Sequence, residues 1–268
     1  MNRINNHSQI DHNTLRAYTN RQVAKLAILA TVVAACAFSL FNNSTLSAAN
    51  AGVQQTETTT AKPPRERFDF LVREDFFAGM AGNQEALARG MKTCEAALAK
   101  NPKHAEALVW RGGGLVFISG QYFQKGDISK GMELWTRGLK EMDTAVALDP
   151  DSVGVLIPRG STLINASRFM KPDEMARPHL QKGLNDYEKV LQIQKSYFAH
   201  LSGHARGELL YGLAEGWHRL GNEEKARVYF QRVVNEALGS ARQQQASAFL
   251  ETGKLVSTTM SCTGCHTK

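Results

Sequence analysis

A ten-residue motif occurs four times in the chain and limits the folds that the chain can adopt. The four copies are residues 89–98, 137–146, 182–191 and 225–234. A small residue stands second in every copy, as Gly90, Gly138, Gly183 and Ala226. These small residues are 48, 45 and 43 positions apart. A motif that returns at such a period indicates an array of structural repeats.

The spacing within the motif predicts a helix. Apolar residues follow the small residue after four and seven positions, for example Met142 and Ala145 after Gly138. This spacing places all three residues on one stripe of a helix with 3.6 residues per turn. Glycine lowers helix stability by about 1 kcal/mol relative to alanine. Its recurrence at one position of the motif therefore predicts a neighbouring helix that passes too close for a side chain.

A second repeated segment precedes the motif and predicts a partner helix. Residues 108–112 align with residues 156–160 at an offset of 48. Turn signals separate the two predicted helices in three units, at Gly82-Asn83, Gly126-Asp127 and Gly221-Asn222. In the remaining unit, a segment containing Lys171-Pro172 predicts a loop over residues 169–178. Each unit is therefore predicted to consist of a helix, a turn and a second helix.

This pattern resembles the tetratricopeptide repeat (TPR). The matching residues are Leu210, Leu213, Ala214 and Trp217 on a first helix, Ala226 and Phe230 on a second helix, and the closing prolines Pro102 and Pro150. The period of 43 to 48 residues exceeds the roughly 34 residues typical of that family. The resemblance implies an all-α, right-handed superhelical solenoid of about four TPR-like helix-turn-helix repeats over residues 67–254. The last segment, residues 240–254, is predicted to form a capping helix.

The resemblance also implies a protein partner. Arg111, Arg159 and Arg206 recur on the predicted first helices, which line the concave side of tetratricopeptide arrays. On that side they could clamp an acidic peptide terminus of the partner. Repetition of the structural unit explains the same three arginines equally well, so both interpretations remain open.

Residues 1–51 resemble a signal peptide or an N-terminal membrane anchor. Arg16, Arg21 and Lys25 precede an apolar run over residues 26–41, and small residues suited to cleavage follow it. Whether the segment is cleaved or retained as an anchor, the rest of the chain is predicted to lie in the periplasm, free or anchored through residues 26–41. Lipid attachment at Cys36 is a further alternative. Residues 52–66 lack apolar periodicity and are predicted to form a flexible linker.

The tail, residues 255–268, carries the most specific chemical motif, Cys262-Thr263-Gly264-Cys265-His266. This spacing is that of a c-type haem site, in which the thiols of Cys262 and Cys265 bind the haem covalently and His266 ligates the iron. The alternatives are a disulfide or redox-active cysteine pair, metal binding, and no chemical role for these residues. A structural zinc site is the weakest of these, because three ligands leave its tetrahedral shell incomplete.

The sequence therefore predicts an exported TPR scaffold that binds a protein partner, for example a redox protein, and carries one haem c for electron transfer. The alternative is a haem-free periplasmic adaptor for the assembly of an envelope complex. The net charge of +7 comes without a basic cluster interleaved with aromatic residues, so no nucleic-acid partner is expected. No catalytic motif is present in the sequence, and an enzyme is not expected.

Overall fold

The computed structural model describes residues 67–255, and this part of the chain is all helical. It contains nine α-helices and one short 3₁₀-helix, Phe198–His200, and no strand. The α-helices are α1 Asp69–Met80, α2 Gln84–Lys100, α3 Ala105–Gln124, α4 Ile128–Leu148, α5 Val153–Ala166, α6 Asp173–Ile193, α7 Gly203–Arg219, α8 Glu223–Glu236 and α9 Ala241–Thr252. The predicted all-α fold is confirmed.

The helices form four consecutive hairpins. Each odd-numbered helix from α1 to α7 packs on the even-numbered helix that follows it, and neighbouring hairpins contact each other through α2 with α3, α3 with α5, and α6 with α7. The ninth helix packs on α8 and α7. The described residues therefore form a helical solenoid with a capping helix, as the repeats predicted.

Three of the hairpin turns use the same local chemistry. A glycine with positive φ ends the turn, at 111° for Gly82, 81° for Gly126 and 83° for Gly221. The next residue caps the second helix, because its side-chain oxygen accepts a hydrogen bond from the backbone N–H three residues later. These caps are Asn83 to Ala86, Asp127 to Lys130 and Asn222 to Lys225, each at 3.0 Å. The three predicted turns are confirmed.

The helices of the second and third hairpins cross at their glycines. A Cβ atom added to Gly138 would lie 2.7 Å from the carbonyl oxygen of Gly112, and one added to Gly112 would lie 2.7 Å from the carbonyl oxygen of Gly138. In the third hairpin, a Cβ atom on Gly183 would lie 2.8 Å from the carbonyl oxygen of Gly160. Such distances exclude a side chain unless the helices move apart. The close approach predicted from the motif is confirmed.

The apolar stripes of the motif form the core. Cys94, Met142 and Phe230 are fully buried, and Tyr187 is only 2% exposed. In the last hairpin, the ring of Phe230 stacks on Phe249 of α9 with 4.0 Å between centroids. This contact explains why α9 caps the array: its buried side covers the core that α8 would otherwise expose to water.

The predicted loop over residues 169–178 is too long. The third hairpin instead turns over residues 167–172, and α6 begins at Asp173, so that Pro178 lies inside the helix. Proline is tolerated there because it removes only one backbone hydrogen bond close to the exposed start of the helix. No helix within residues 67–255 is long and apolar enough to cross a membrane.

Candidate functional site

The tail residues with the haem motif lie outside the described residues. Cys262, Cys265 and His266 therefore stay a prediction, as do the signal or anchor segment over 1–51 and the linker over 52–66. The last described residue, Leu255, packs against the core of the final two hairpins. Within residues 67–255 no cluster of three metal-ligating side chains occurs.

Cys94 does not compete with the tail cysteines as a reactive thiol. It is fully buried on the packing face of α2, and burial raises the pKa of its thiol to about 12. The thiolate is the reactive form of cysteine, so a thiol with this pKa is inert near neutral pH. Cys94 follows Gly90 by four positions, so its burial confirms the packing face predicted from the spacing of the motif.

Arg111 of α3 is neutralised by a carboxylate of its own hairpin. Its Nε and Nη2 atoms donate to the two carboxylate oxygens of Glu141 on α4, at 2.8 and 3.0 Å. The side chains are only 18% and 12% exposed. Such a two-bond pair fixes both partners in one geometry.

Arg159 of α5 forms the equivalent pair in the third hairpin. Its guanidinium donates to both carboxylate oxygens of Asp186 on α6, at 2.8 and 2.6 Å. A third bond, of 2.9 Å, reaches Asp143 on α4. Burial disfavours the charge of Arg159, but its pairing with Asp186 and Asp143 outweighs this and raises the pKa of the guanidinium. Both arginines thus link helices within the array.

The acid in each pair occupies one position of the repeat. Glu141 follows Gly138 by three residues, and Asp186 follows Gly183 by three. In the last hairpin, the residue three after Ala226 is Tyr229, whose hydroxyl lies 3.5 Å from Glu188. Gly207, next to Arg206, faces Ala237 and Ser240 beyond the end of α8, whereas Gly112 and Gly160 face the motif glycines of their own hairpins.

Arg206 of α7 is accordingly placed differently from the other two. It forms no ion pair with any residue in the described range, and its Nη1 atom donates to the backbone carbonyl of Ala199. Its Nε atom is buried and has no hydrogen-bond acceptor within residues 67–255. The structure thus separates the three predicted clamp residues into two paired arginines and one with spare hydrogen-bonding capacity. A joint clamp of all three stays a prediction.

Arg206 lines a cavity of about 500 Å³ between the end of α6, the start of α7 and the end of α8. Lys195 and Arg232 also line the cavity. Arg232 is held by Glu236, with Nε and Nη2 at 2.7 and 3.1 Å from the two carboxylate oxygens. The remaining wall includes apolar side chains, those of Leu191, Phe198 and Leu238.

Sequence reasoning missed Lys195 and Arg232 as companions of Arg206. These residues lie 11 positions before it and 26 positions after it, so only the packing of the helices brings them together. Neither residue belongs to the repeated positions of the motif, so the repeat pattern gave no signal for them.

No protein-family model matches the chain, and no curated protein matches it. Among solved structures, the chain is similar to a thermophilic TPR protein of Thermus thermophilus, with a TM-score of 0.45 and 18% sequence identity. The alignment covers 68% of this chain and 81% of that one. The described part of the chain is a helical solenoid built of helix-turn-helix hairpins.

Proposed function

We propose that this chain is an exported scaffold, that its helical array binds a protein partner, and that its tail carries one covalently bound haem for electron transfer with that partner. The array keeps the partner near the tail, and the haem supplies one-electron chemistry when bound. The two parts of the proposal depend on different residues and are tested separately.

An exposed apolar surface on α4 and α6 is the observation that carries partner binding. Met132 of α4 and Met175 of α6 are 50% and 56% exposed. Each lies one turn before a member of the Trp135–His179 ring contact, in which the ring centroids are 5.2 Å apart. The two methionines are therefore at the same end of neighbouring helices. Ile128 and Phe169, at 59% and 79% exposed, lie near them in sequence.

The chemistry of this surface favours a helix of the partner. Two side-chain contacts, Trp135 with His179 and Asp143 with Lys182, join α4 to α6 in the same chain direction. We propose that two such helices form a shallow groove between them, and the flexible methionine side chains fit varied apolar surfaces. The charged Asp143–Lys182 pair supplies a polar border at one end. We therefore propose an amphipathic helix of the partner as the occupant of this groove.

The haem part of the proposal is supported by the tail sequence. Cys262 and Cys265 would form the thioether bonds, and His266 would ligate the iron. Cys262 stands seven positions after Leu255, which limits the reach of this segment to about 25 Å. The haem would thus stay near the last hairpin. The export signal over residues 1–51 agrees with the proposal, since c-type haem is attached outside the cytoplasm in proteins that carry this motif.

Covalent haem is expected in the full-length protein produced in cells competent for cytochrome c maturation. The protein should stain for haem peroxidase on a denaturing gel, and its intact mass should include one haem, because thioether bonds survive denaturation. The double variant Cys262→Ala/Cys265→Ala should lose both signals. The matched control Cys94→Ala should retain them, because that thiol is buried in the array. A colourless, iron-free wild-type protein would contradict the haem proposal and favour the haem-free adaptor.

Partner binding is expected to depend on the methionine pair. The double variant Met132→Asp/Met175→Asp should weaken binding at least about tenfold, because it places charges at the centre of an apolar contact. The wild-type protein is immobilised on a resin and used to capture proteins from a periplasmic extract of the source organism. Each captured protein is then purified and titrated against the wild type and against the double variant. Leu71→Asp on α1 is the control, since Leu71 is also 55% exposed but lies on another hairpin. Equal affinity of the wild type and the double variant for every captured protein would refute this surface.

A further inference from the structure

We propose that the cavity at Arg206 is a second binding site, which takes a carboxylate carried on an apolar body. The inference goes beyond the partner surface of α4 and α6, and it does not depend on haem attachment. It is built on the charge balance of the cavity, on the hydrogen-bonding capacity of Arg206 and on the apolar wall.

The charge balance of the cavity favours an anion. Three of its side chains are basic, Lys195, Arg206 and Arg232, and one is acidic, Glu236. Glu236 is engaged by Arg232 through two hydrogen bonds. Lys195 and Arg206 have no carboxylate partner among residues 67–255. Two positive charges therefore face the cavity without an acid from the described chain, and the positive potential in a cleft attracts anions.

Arg206 is the group best suited to recognise a carboxylate. A guanidinium presents its N–H donors as a rigid fork that matches the two oxygens of a carboxylate. Arg111 and Arg159 use this fork on Glu141 and Asp186. Arg206 forms no such pair with an acid of the described residues, and its contact with the Ala199 carbonyl uses only one nitrogen. A ligand carboxylate would supply a further acceptor to this guanidinium, whose Nε atom has none among residues 67–255.

The apolar wall determines the rest of the ligand. Phe198 is buried at one side of the cavity, while Leu238 is 64% exposed at the end of α8. A volume of about 500 Å³ is in the range of sites for small organic ligands. An inorganic anion would leave this apolar surface in contact with water. A carboxylic acid with an aromatic or branched aliphatic body would cover it and gain the free energy of burial.

Binding of 3-phenylpropionate to the full-length protein, measured by calorimetry at low ionic strength, tests the proposal. We expect it to bind at least about tenfold more tightly than 3-phenylpropionamide, which has the same shape without the charge. The preference should decrease as salt is added, because charge interactions at accessible sites are screened. The proposal would be overturned if neither this acid nor the aspartyl peptide described below bound more tightly than its neutral amide counterpart.

Substitutions test whether the preference for the acid over the amide arises in the cavity. Arg206→Gln is expected to abolish the preference for the acid, and Lys195→Gln to reduce it. Lys195 is exposed and forms no described ion pair, so its variant gives a result even if Arg206→Gln folds poorly. Arg227→Gln on α8 is the matched control, because Arg227 is exposed and outside the cavity. An unchanged preference in folded Arg206→Gln or in Lys195→Gln would overturn the assignment.

A second pair of probes identifies the source of the carboxylate. N-acetyl-Phe-Asp-amide carries the acid on a peptide, and N-acetyl-Phe-Asn-amide is its neutral counterpart. A preference for the free acid alone supports a small-molecule ligand, and a preference for the aspartyl peptide alone supports a ligand on a polypeptide. Either result supports a carboxylate site. These probes require neither haem nor partner, so the cavity can fail this test while the proposed scaffold function stands.

Discussion

Replacing Gly138 with alanine is expected to lower the free energy of unfolding by about 1–3 kcal/mol. The added Cβ atom would lie 2.7 Å from the carbonyl oxygen of Gly112 and 2.9 Å from Cγ2 of Val116. A carbonyl oxygen in the middle of α3 cannot rotate away as a side chain can, so α3 and α4 must separate along the contact. The loss should appear as a lower midpoint of denaturant unfolding, followed by circular dichroism.

Gly120 provides the matched control on the partner helix. It lies inside α3, and a Cβ atom there would meet no atom within 4 Å. Gly120→Ala is therefore expected to raise the free energy of unfolding by up to about 1 kcal/mol, through helix propensity alone. The same substitution would thus change stability in opposite directions at two sites in one hairpin. If both variants were stabilised, the glycines of the motif would not mark a close helix crossing.

Those parts of the fold that depend on local chemistry could be predicted from the sequence. The turn at Gly126-Asp127 needs only a residue that tolerates positive φ and a residue that caps a helix, and both requirements are met by neighbours in the chain. The packing faces follow from helical spacing, which identified Cys94 and Phe230 as buried residues. The α-helices of the described residues run from Asp69 to Thr252.

Long-range pairing could not be predicted in the same way. The partners Arg111 and Glu141 are 30 residues apart, and Arg159 and Asp186 are 27 apart. Their contact depends on where two helices cross, and the crossing moves along the helices with the length of each turn. For this reason, a repeated arginine suggested a ligand clamp, although two of the three arginines meet acids of the array.

The candidate cavity shows the same limit. Arg206 was identified because it repeats, but Lys195 and Arg232 follow no repeat and meet it only through packing. The acid three positions after the small residue occurs only as Glu141 and Asp186, and the other two copies have Thr93 and Tyr229. The sequence alone could not show that Arg206 lines a cavity with an apolar wall.

Replacing Arg242 with methionine is expected to lower the free energy of unfolding by about 3–5 kcal/mol. Its guanidinium donates to both carboxylate oxygens of Glu208 on α7, at 2.9 and 3.0 Å, and both side chains are only 7% exposed. It also lies 4.7 Å above the ring of Tyr211. Methionine would remove the cation and leave the Glu208 carboxylate in a buried position without it. Since this pair attaches the capping helix α9 to α7, α9 should lose protection from hydrogen exchange first.

A double variant distinguishes the net contribution of the ion pair to the free energy of unfolding from the loss caused by removing only one of its partners. Arg242→Met combined with Glu208→Leu removes both charges, and it should recover most of the stability lost in the single variant, because apolar residues of similar size can replace a buried ion pair. Lys189→Met is the surface control. Its partner Asp151 is 78% exposed, and the loss should be below about 1 kcal/mol. If the double variant were as unstable as Arg242→Met alone, the damage would come from lost packing around Tyr211 and not from the buried carboxylate that loses this cation.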